Sequence, residues 1–295
     1  MTTELKLSIA TMPIRRYGSV AEFAGHVDDY AKQAATAGSR VLLLPELTCV
    51  GLLWSDPDAA RTDVSTVGAF YRKVLSGHLP TYRESLASIA HRRNLWIAGA
   101  TFWHEREGVG VNTGFIVSPE GAVAEQDKLH PTRSEQAIGT EGGGALRLFT
   151  IDGIRIGQLI CYDVQFPELT RHLVEEGIEI LLVPSLTSDR GYWRVRHAAH
   201  ARAVENQIYV CVSPLTGDLG IPYDHPLRCM GSAYVACPID DRFGIVDGTY
   251  ACAASGAGAV LHVALDLDRL RLSRARSEIR QLADRRPAFY AGLRR

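Results

Sequence analysis

Short apolar strands alternate with amphipathic helices along the whole chain, and this alternation restricts the fold more than any other feature. Val41–Leu44 and Ile180–Val183 are apolar at every position, as strands buried on both faces are. Strands are expected at Leu5–Thr11, Val41–Leu44, Leu95–Thr101, Thr113–Val117, Leu146–Ile151, Ile154–Ile160, Ile178–Val183, Ile208–Val212, Ser232–Ala236 and Val260–Leu265. Helical patterns lie between them. Ser19 with Glu22 reads as a capping box, Gly38 as the residue that ends the same helix, and Val20, Phe23, Val27, Ala31 and Ala34 as its apolar stripe. Thr81 with Glu84 predicts a second capping box before a helix to about Arg93. Pro167 and Glu168 suit a first turn, and Arg190 to Asn206 reads as a further helix.

Two hairpin signals interrupt the alternation, Pro119-Glu120-Gly121 and Asp152-Gly153. Parallel crossovers mixed with hairpins predict an α/β protein with mixed sheets and helices outside. No linker or composition break divides the chain. One domain over residues 1–272 is expected, followed by an Arg-rich tail over 273–295 that packs on something.

Charge and hydropathy remove several classes of function. Thirty-two basic residues stand against 33 acidic ones, without the basic excess of a nucleic-acid binder. The longest apolar runs are too short to span a bilayer. Met-Thr-Thr-Glu-Leu-Lys lacks the pattern of a secretory signal, so a cytoplasmic protein without nucleic-acid or membrane partners is expected. The six cysteines, at 49, 161, 211, 229, 237 and 252, form no C-x-x-C pair and no His-bracketed motif, which predicts no metal site.

Reactive side chains follow three of the apolar runs. Glu46 ends Val-Leu-Leu-Leu-Pro-Glu, Cys161 follows Gly-Gln-Leu-Ile, and Ser185 ends Leu-Leu-Val-Pro-Ser. Ligands of open α/β sheets bind outside the carboxyl ends of strands. Taken singly, each has an ordinary reading: a core thiol, a solvated loop carboxylate, a strand-end hydroxyl. Lys128 alone is almost uninformative.

In combination these segments resemble the nitrilase, or carbon–nitrogen hydrolase, superfamily over nearly the whole chain. The similarity rests on Leu-Leu-Leu-Pro-Glu46, on Asp127-Lys128-Leu129-His130, and on Gly157-Gln-Leu-Ile-Cys161-Tyr-Asp-Val-Gln-Phe-Pro-Glu168. Arg194 to Gln207 and the ending Arg285-Arg286-Pro287-Ala-Phe-Tyr290 are also similar to it. The resemblance implies an α-β-β-α sandwich that forms four layers, a Glu46–Lys128–Cys161 site without cofactor or metal, and a homodimer or higher homo-oligomer in which the tail reaches the partner. A second glutamate is implied in the loop after the lysine. Glu135 is assigned, with Glu141 as its competitor.

These residue types suit acyl transfer. A thiol of pKa about 8.5 is mostly protonated at pH 7, so Glu46 would act as its base and later as acid toward the leaving amine. Lys128 would serve as a fixed positive charge near the oxyanion, beside the Tyr162 N–H. Tyr162, Ser185, Thr187, Trp54 and Tyr192 are expected to line the substrate pocket, with Arg133 and Arg190 as possible carboxylate donors. Asp163 and Glu168 are read as holding the cysteine turn, and His197 and His200 as having no metal role.

Tyr162-Asp163, where nitrilases of the family carry tryptophan and glutamate, favours a small linear amide over a nitrile or a carbamoyl compound. The alternatives are a nitrilase or N-carbamoyl amidohydrolase, and a catalytically silent scaffold or binding protein of this fold. A thiol protease or acyltransferase is disfavoured by the absence of a papain-like signature and of membrane segments.

Overall fold

The computed structural model describes residues 3–63, 65–220, 228–254 and 258–293; the last two residues of the predicted tail lie outside them. The strands of the first half are β1 (Glu4–Ala10), β2 (Met12–Pro13), β3 (Val41–Leu43), β4 (Trp96–Arg106), β5 (Val109–Val117) and β6 (Val123–Asp127). Those of the second half are β7 (Leu148–Ile151), β8 (Ile154–Gln158), β9 (Ile180–Leu186), β10 (Tyr209–Asp218), β11 (Arg228–Cys229), β12 (Tyr234–Ala236), β13 (Thr249–Cys252) and β14 (Val260–Asp266). The helices are α1 (Val20–Thr36), α2 (Val67–Val74), α3 (Leu79–Arg93), α4 (Arg133–Ala137), α5 (Pro167–Glu175), α6 (Asp189–Asn206), α7 (Leu267–Arg276) and α8 (Pro287–Gly292).

The first sheet runs β14-β1-β3-β4-β5-β6 and the second β13-β12-β10-β9-β8-β7, with β2 and β11 also paired to β10. Successive side chains of a strand point to opposite faces, and here both faces are apolar. Leu5, Leu7, Ile9, Val41 and Leu43 of the first sheet meet Ile156, Ile180, Leu182, Tyr209 and Cys211 of the second in one buried cluster. The alternate residues turn outward. Leu42 and Leu44 pack with α1 and α3, while Leu181, Val183, Val210 and Val212 pack with α5 and α6. The consecutive apolar runs are thus strands sandwiched between a sheet and a helix layer, and the order of layers is α-β-β-α.

The local signals held to different degrees. Asp152 and Gly153 both adopt positive φ (49° and 79°), the geometry of a type I′ turn, and join β7 to β8. Ser19 accepts the Glu22 N–H at 3.3 Å, but the Glu22 carboxylate turns to the Gly18 N–H rather than closing the box on Ser19. The Thr81–Glu84 capping box is corrected: α3 begins at Leu79, two residues earlier, with Pro80 in its first turn. Pro80 lacks the N–H that the first turn cannot use, so Thr81 already lies inside the helix. Residues 48–78, for which the sequence predicts no element, coil into short 3₁₀ segments and α2. The division at 272/273 falls inside α7.

Candidate active site

Glu46 is placed by a deformation in the strand beside it. β3 ends before Pro45, which has no N–H to continue the ladder. Opposite, the β4–β5 register slips between Gly99 and Phe102, and Gly99 and Ala100 have φ of 81° and 46°. This bulge aims the Ala100 and Thr101 N–H groups at the carbonyls of Leu44 and Pro45, both at 3.4 Å. Thr101 Oγ1 accepts the Leu47 N–H at 2.8 Å. A Cβ on Gly99 would lie 2.0 Å from the Leu44 carbonyl oxygen, so the close approach that turns Glu46 inward requires glycine.

Lys128 follows β6, and its N–H donates to the Asn112 carbonyl at 2.8 Å. Its ammonium donates to Glu46 Oε1 at 2.7 Å and to Glu135 Oε1 and Oε2 at 2.9 and 2.7 Å. Three carboxylate oxygens therefore match its three N–H bonds. Glu135 stands at the third position of α4 and closes a capping box: Thr132 Oγ1 accepts the Glu135 N–H, and Glu135 Oε2 accepts the Thr132 N–H at 2.8 Å. A carboxylate recruited to cap a five-residue helix also pairs with the lysine. Glu141 is exposed, and its N–H donates to the Gly110 carbonyl.

Cys161 opens a 3₁₀ turn, Cys161–Gln165, directly after the β8 run. Its φ of 49° is left-handed, a strained conformation for a residue with a Cβ that clusters at functional positions. Ser185 Oγ lies 3.5 Å from Sγ, and Sγ lies 3.6 Å from the Leu186 carbonyl oxygen. The Leu186 N–H donates to Glu46 Oε2 at 2.9 Å, so the end of β9 touches both groups. Asp163, 1% exposed in its side chain, accepts the N–H groups of Leu129 and His130 at 3.0 and 2.7 Å. That carboxylate fastens the lysine loop to the cysteine turn, and His130 stacks on Phe166 at 3.8 Å over the same junction.

The buried charges divide unequally. Burial, with Glu135 nearby, raises Glu46 above the ordinary glutamate pKa despite Lys128. Burial acts on Glu135 in the same sense, but Lys128 and the Thr132 contacts outweigh it and hold Glu135 low. Burial works against the Lys128 ammonium, and the two carboxylates more than offset it, leaving its pKa raised. Burial and the charge of Glu46 push the Cys161 thiol up. The two carboxylates are thus displaced in opposite directions. Burial thus favours the neutral form of the Cys161 thiol, which lies beside the Glu46 carboxylate.

Of the five expected lining residues, Ser185 touches the thiol. Thr187 is buried at the end of β9, where its carbonyl accepts the Met230 N–H. Tyr162 packs edge-on against Phe166. Tyr192 lies in α6 and accepts a hydrogen bond from Arg196 at 3.2 Å. Trp54 donates to the Leu219 carbonyl at 3.0 Å and carries the Arg16 guanidinium over its ring at 3.7 Å. Arg133 and Arg190 are exposed. His200 bonds the Arg196 carbonyl and Thr249, and His197 is exposed. Among the described residues, no group of three His, Cys, Asp or Glu could hold a metal ion, and no helix is long and apolar enough to cross a membrane.

Sequence reasoning missed Asn112. Its Nδ2 donates to Glu46 Oε1 at 3.0 Å and to Glu135 Oε1 at 3.3 Å. A polar residue at a fully buried position of β5 was the available signal.

The carbon–nitrogen hydrolase family model matches residues 6–239. The chain belongs to that family. This carbon–nitrogen hydrolase family member is 31% identical to the probable hydrolase YhcX of Bacillus subtilis, over 97% of its own length and 54% of YhcX. It therefore spans about half the length of that relative. It is 32% identical to an (R)-stereoselective amidase of Pseudomonas sp, over 71% of this chain and 70% of the amidase. In fold it is similar to a mutant of the Nesterenkonia AN1 amidase from the nitrilase superfamily, with a TM-score of 0.73 at 21% identity over 98% and 97% of the two chains. Another structure of that amidase carries the product of Michael addition of acrylamide at the active-site cysteine.

Proposed function

We propose that the chain is a thiol hydrolase of non-peptide C–N bonds, acting on a small linear amide through a thioester on Cys161. The observation that carries this reading is one buried hydrogen-bonded cluster holding a thiol, a glutamate and a lysine tied to a second glutamate. The amidases among its relatives support the choice of bond.

Glu46 takes the Cys161 proton as sulfur bonds to the amide carbonyl carbon, and the carbonyl π electrons move to oxygen. The N–H of Tyr162, in the first turn after the cysteine, and the charge of Lys128 stabilise that oxyanion. Lys128 already donates to three carboxylate oxygens, so it reaches the oxyanion by releasing one of its two contacts with Glu135. Collapse breaks the C–N bond, and the leaving nitrogen takes the proton from Glu46. Water, deprotonated by Glu46, then attacks the thioester; the acid departs and Cys161 regains its proton. No step calls for a metal or organic cofactor. Ser185, Thr187, Tyr162, Trp54 and Tyr192 are proposed to shape the pocket. A homodimer is proposed through α6, with Trp193 54% exposed, and the tail, where Ile279, Phe289, Tyr290 and Leu293 are exposed.

The test is a panel of linear amides, carbamoyl compounds and nitriles, with ammonia and acid release measured for wild type, Cys161→Ala and Cys161→Ser. Intact mass after brief exposure should reveal an acyl adduct that Cys161→Ala cannot form. Equal activity in wild type and variants, or an adduct on another cysteine, overturns the assignment. Release from nitriles or carbamoyl compounds alone overturns the choice of amide.

A further inference from the structure

The two oxygens of Glu46 are not equivalent. Oε1 accepts from Lys128 Nζ at 2.7 Å and from Asn112 Nδ2 at 3.0 Å, whereas Oε2 accepts the Leu186 N–H at 2.9 Å, and the Cys161 thiol also hydrogen-bonds to this carboxylate. A carboxylate oxygen has two lone pairs in its plane. Oε1 is filled and Oε2 has one place left. Leu186, which donates to Oε2, also accepts from Cys161 Sγ, so the remaining lone pair belongs to the oxygen tied to the strand end that touches the thiol.

We propose that Asn112 is a positioning residue that directs the shuttled proton to Glu46 Oε2, by sharing with Lys128 the two lone pairs of Oε1. This rests on the hydrolase reading above. Asn112 is 1% exposed in the middle of β5, and its two amide N–H bonds go one to each glutamate. The reverse orientation would set its oxygen against two carboxylate oxygens. Its backbone carbonyl accepts the Lys128 N–H, so one residue aligns the base, the lysine and the second glutamate. During acylation the proton leaves Sγ for Oε2 as the S–C bond forms. It leaves Oε2 for the departing nitrogen as the C–N bond breaks. A proton on Oε1 would displace a donor already there.

Titratable groups face Glu46 from four elements: Lys128 after β6, Glu135 on α4, Cys161 after β8, and Cys229 on β11, whose thiol feels the Glu46 charge. Asn112 is neutral, so replacing it removes a hydrogen bond and leaves the number of charges unchanged. A donor to the ionised form lowers a carboxyl pKa, and its loss raises it.

The experiment follows the pH dependence of Cys161 alkylation by iodoacetamide, located by peptide mass, and of kcat/KM for the best amide, in wild type and Asn112→Leu. The acid limb of both profiles should move up by about one pH unit. The kcat plateau should fall about tenfold or more, with KM within about twofold. Asn112→Ser, whose single hydroxyl cannot serve both acids, is read in the same way should the leucine variant not fold. A residue that only supports the fold would lower the active fraction and leave the limb in place, and that result overturns the proposal. If Cys161 of the wild type is not the labelled residue, the hydrolase reading falls and this inference with it. Labelling at Cys161 with an unmoved limb overturns this inference alone.

Discussion

Lys128 Nζ lies 2.7 Å from Glu46 Oε1, and each side chain is 2% exposed. The pair joins the loop after β6 to the end of β3, 82 residues apart in sequence. Coulomb attraction is strong where water is excluded, but so is the cost of removing both ions from water. The net gain from the intact pair is therefore small, whereas removing one partner should be severe.

Lys128→Met leaves Glu46 and Glu135 buried without their cation. Loss of one partner of a buried pair costs about 3–5 kcal/mol. Urea unfolding should give a midpoint far below that of wild type, and amide hydrolysis should vanish. A midpoint within error of wild type would show that the pair is not buried in solution.

Glu46 and Glu135 should contribute to acid stability with opposite signs. Glu135 is held below its ordinary value of 4.5, so its contribution is present above that pH and is lost as pH falls through its folded pKa. Glu46 is raised. The folded state binds its proton more tightly than the unfolded chain does, so stability declines as pH rises from 4.5 toward the folded pKa. Unfolding curves at several pH values should show Glu135→Gln losing part of the fall below pH 4.5. Glu46→Gln should lose the decline above it while abolishing hydrolysis. Identical pH profiles for the two variants would contradict the division of charge.

Asp163→Asn replaces one accepting oxygen by an amide N–H that faces the Leu129 or His130 N–H. Hydrogen bonds to charged groups contribute about 1.5–3 kcal/mol, so a loss of about 2–4 kcal/mol is expected in chemical denaturation. Because this carboxylate joins the lysine loop to the cysteine turn, kcat should fall more than KM rises. A stability loss with unchanged kcat would confine Asp163 to the fold.

Gly99→Ala tests the bulge. A Cβ there meets the Leu44 carbonyl at 2.0 Å on a backbone of φ 81°, so β4 or the Leu44–Glu46 segment must move. Strain at such a position costs about 1–3 kcal/mol, and a shift of about 1 Å at Glu46 costs on the order of 100-fold in rate. Steady-state kinetics beside a thermal melt would separate the two. Wild-type kinetics in a folded variant would show that the bulge does not place Glu46.

Much of the scaffold was legible because it depends on local rules. Val41–Leu44 and Ile180–Val183 announce strands covered on both faces, and Asp152-Gly153 announces its own turn. Glu46 and Cys161 stand out as reactive groups at strand ends. The bulge at Gly99–Thr101 was illegible, because its purpose is to receive a segment more than 50 residues away. Residues 48–78 carry no element signal because their short 3₁₀ turns are specified by what they pack on. Asn112 lies just before the predicted strand Thr113–Val117, and the longer β5 that buries it is set by its pairing with β4. Thr81 and Glu84 had the correct spacing for a cap, yet Pro80 started the helix earlier.

From the sequence alone came the alternation of strands and helices and the candidate reactive side chains at the strand ends, since hydrophobic period, turn chemistry and functional-group type are properties of neighbouring residues, while the layering and the place of Lys128 came from the resemblance to the family. The tertiary structure alone decided which glutamate meets Lys128, that Asn112 bridges two acids, and that Glu46 and Glu135 have pKa values displaced in opposite directions. Those are consequences of burial and of distances between groups far apart in the chain, and a low-dielectric interior gives such distances their energy.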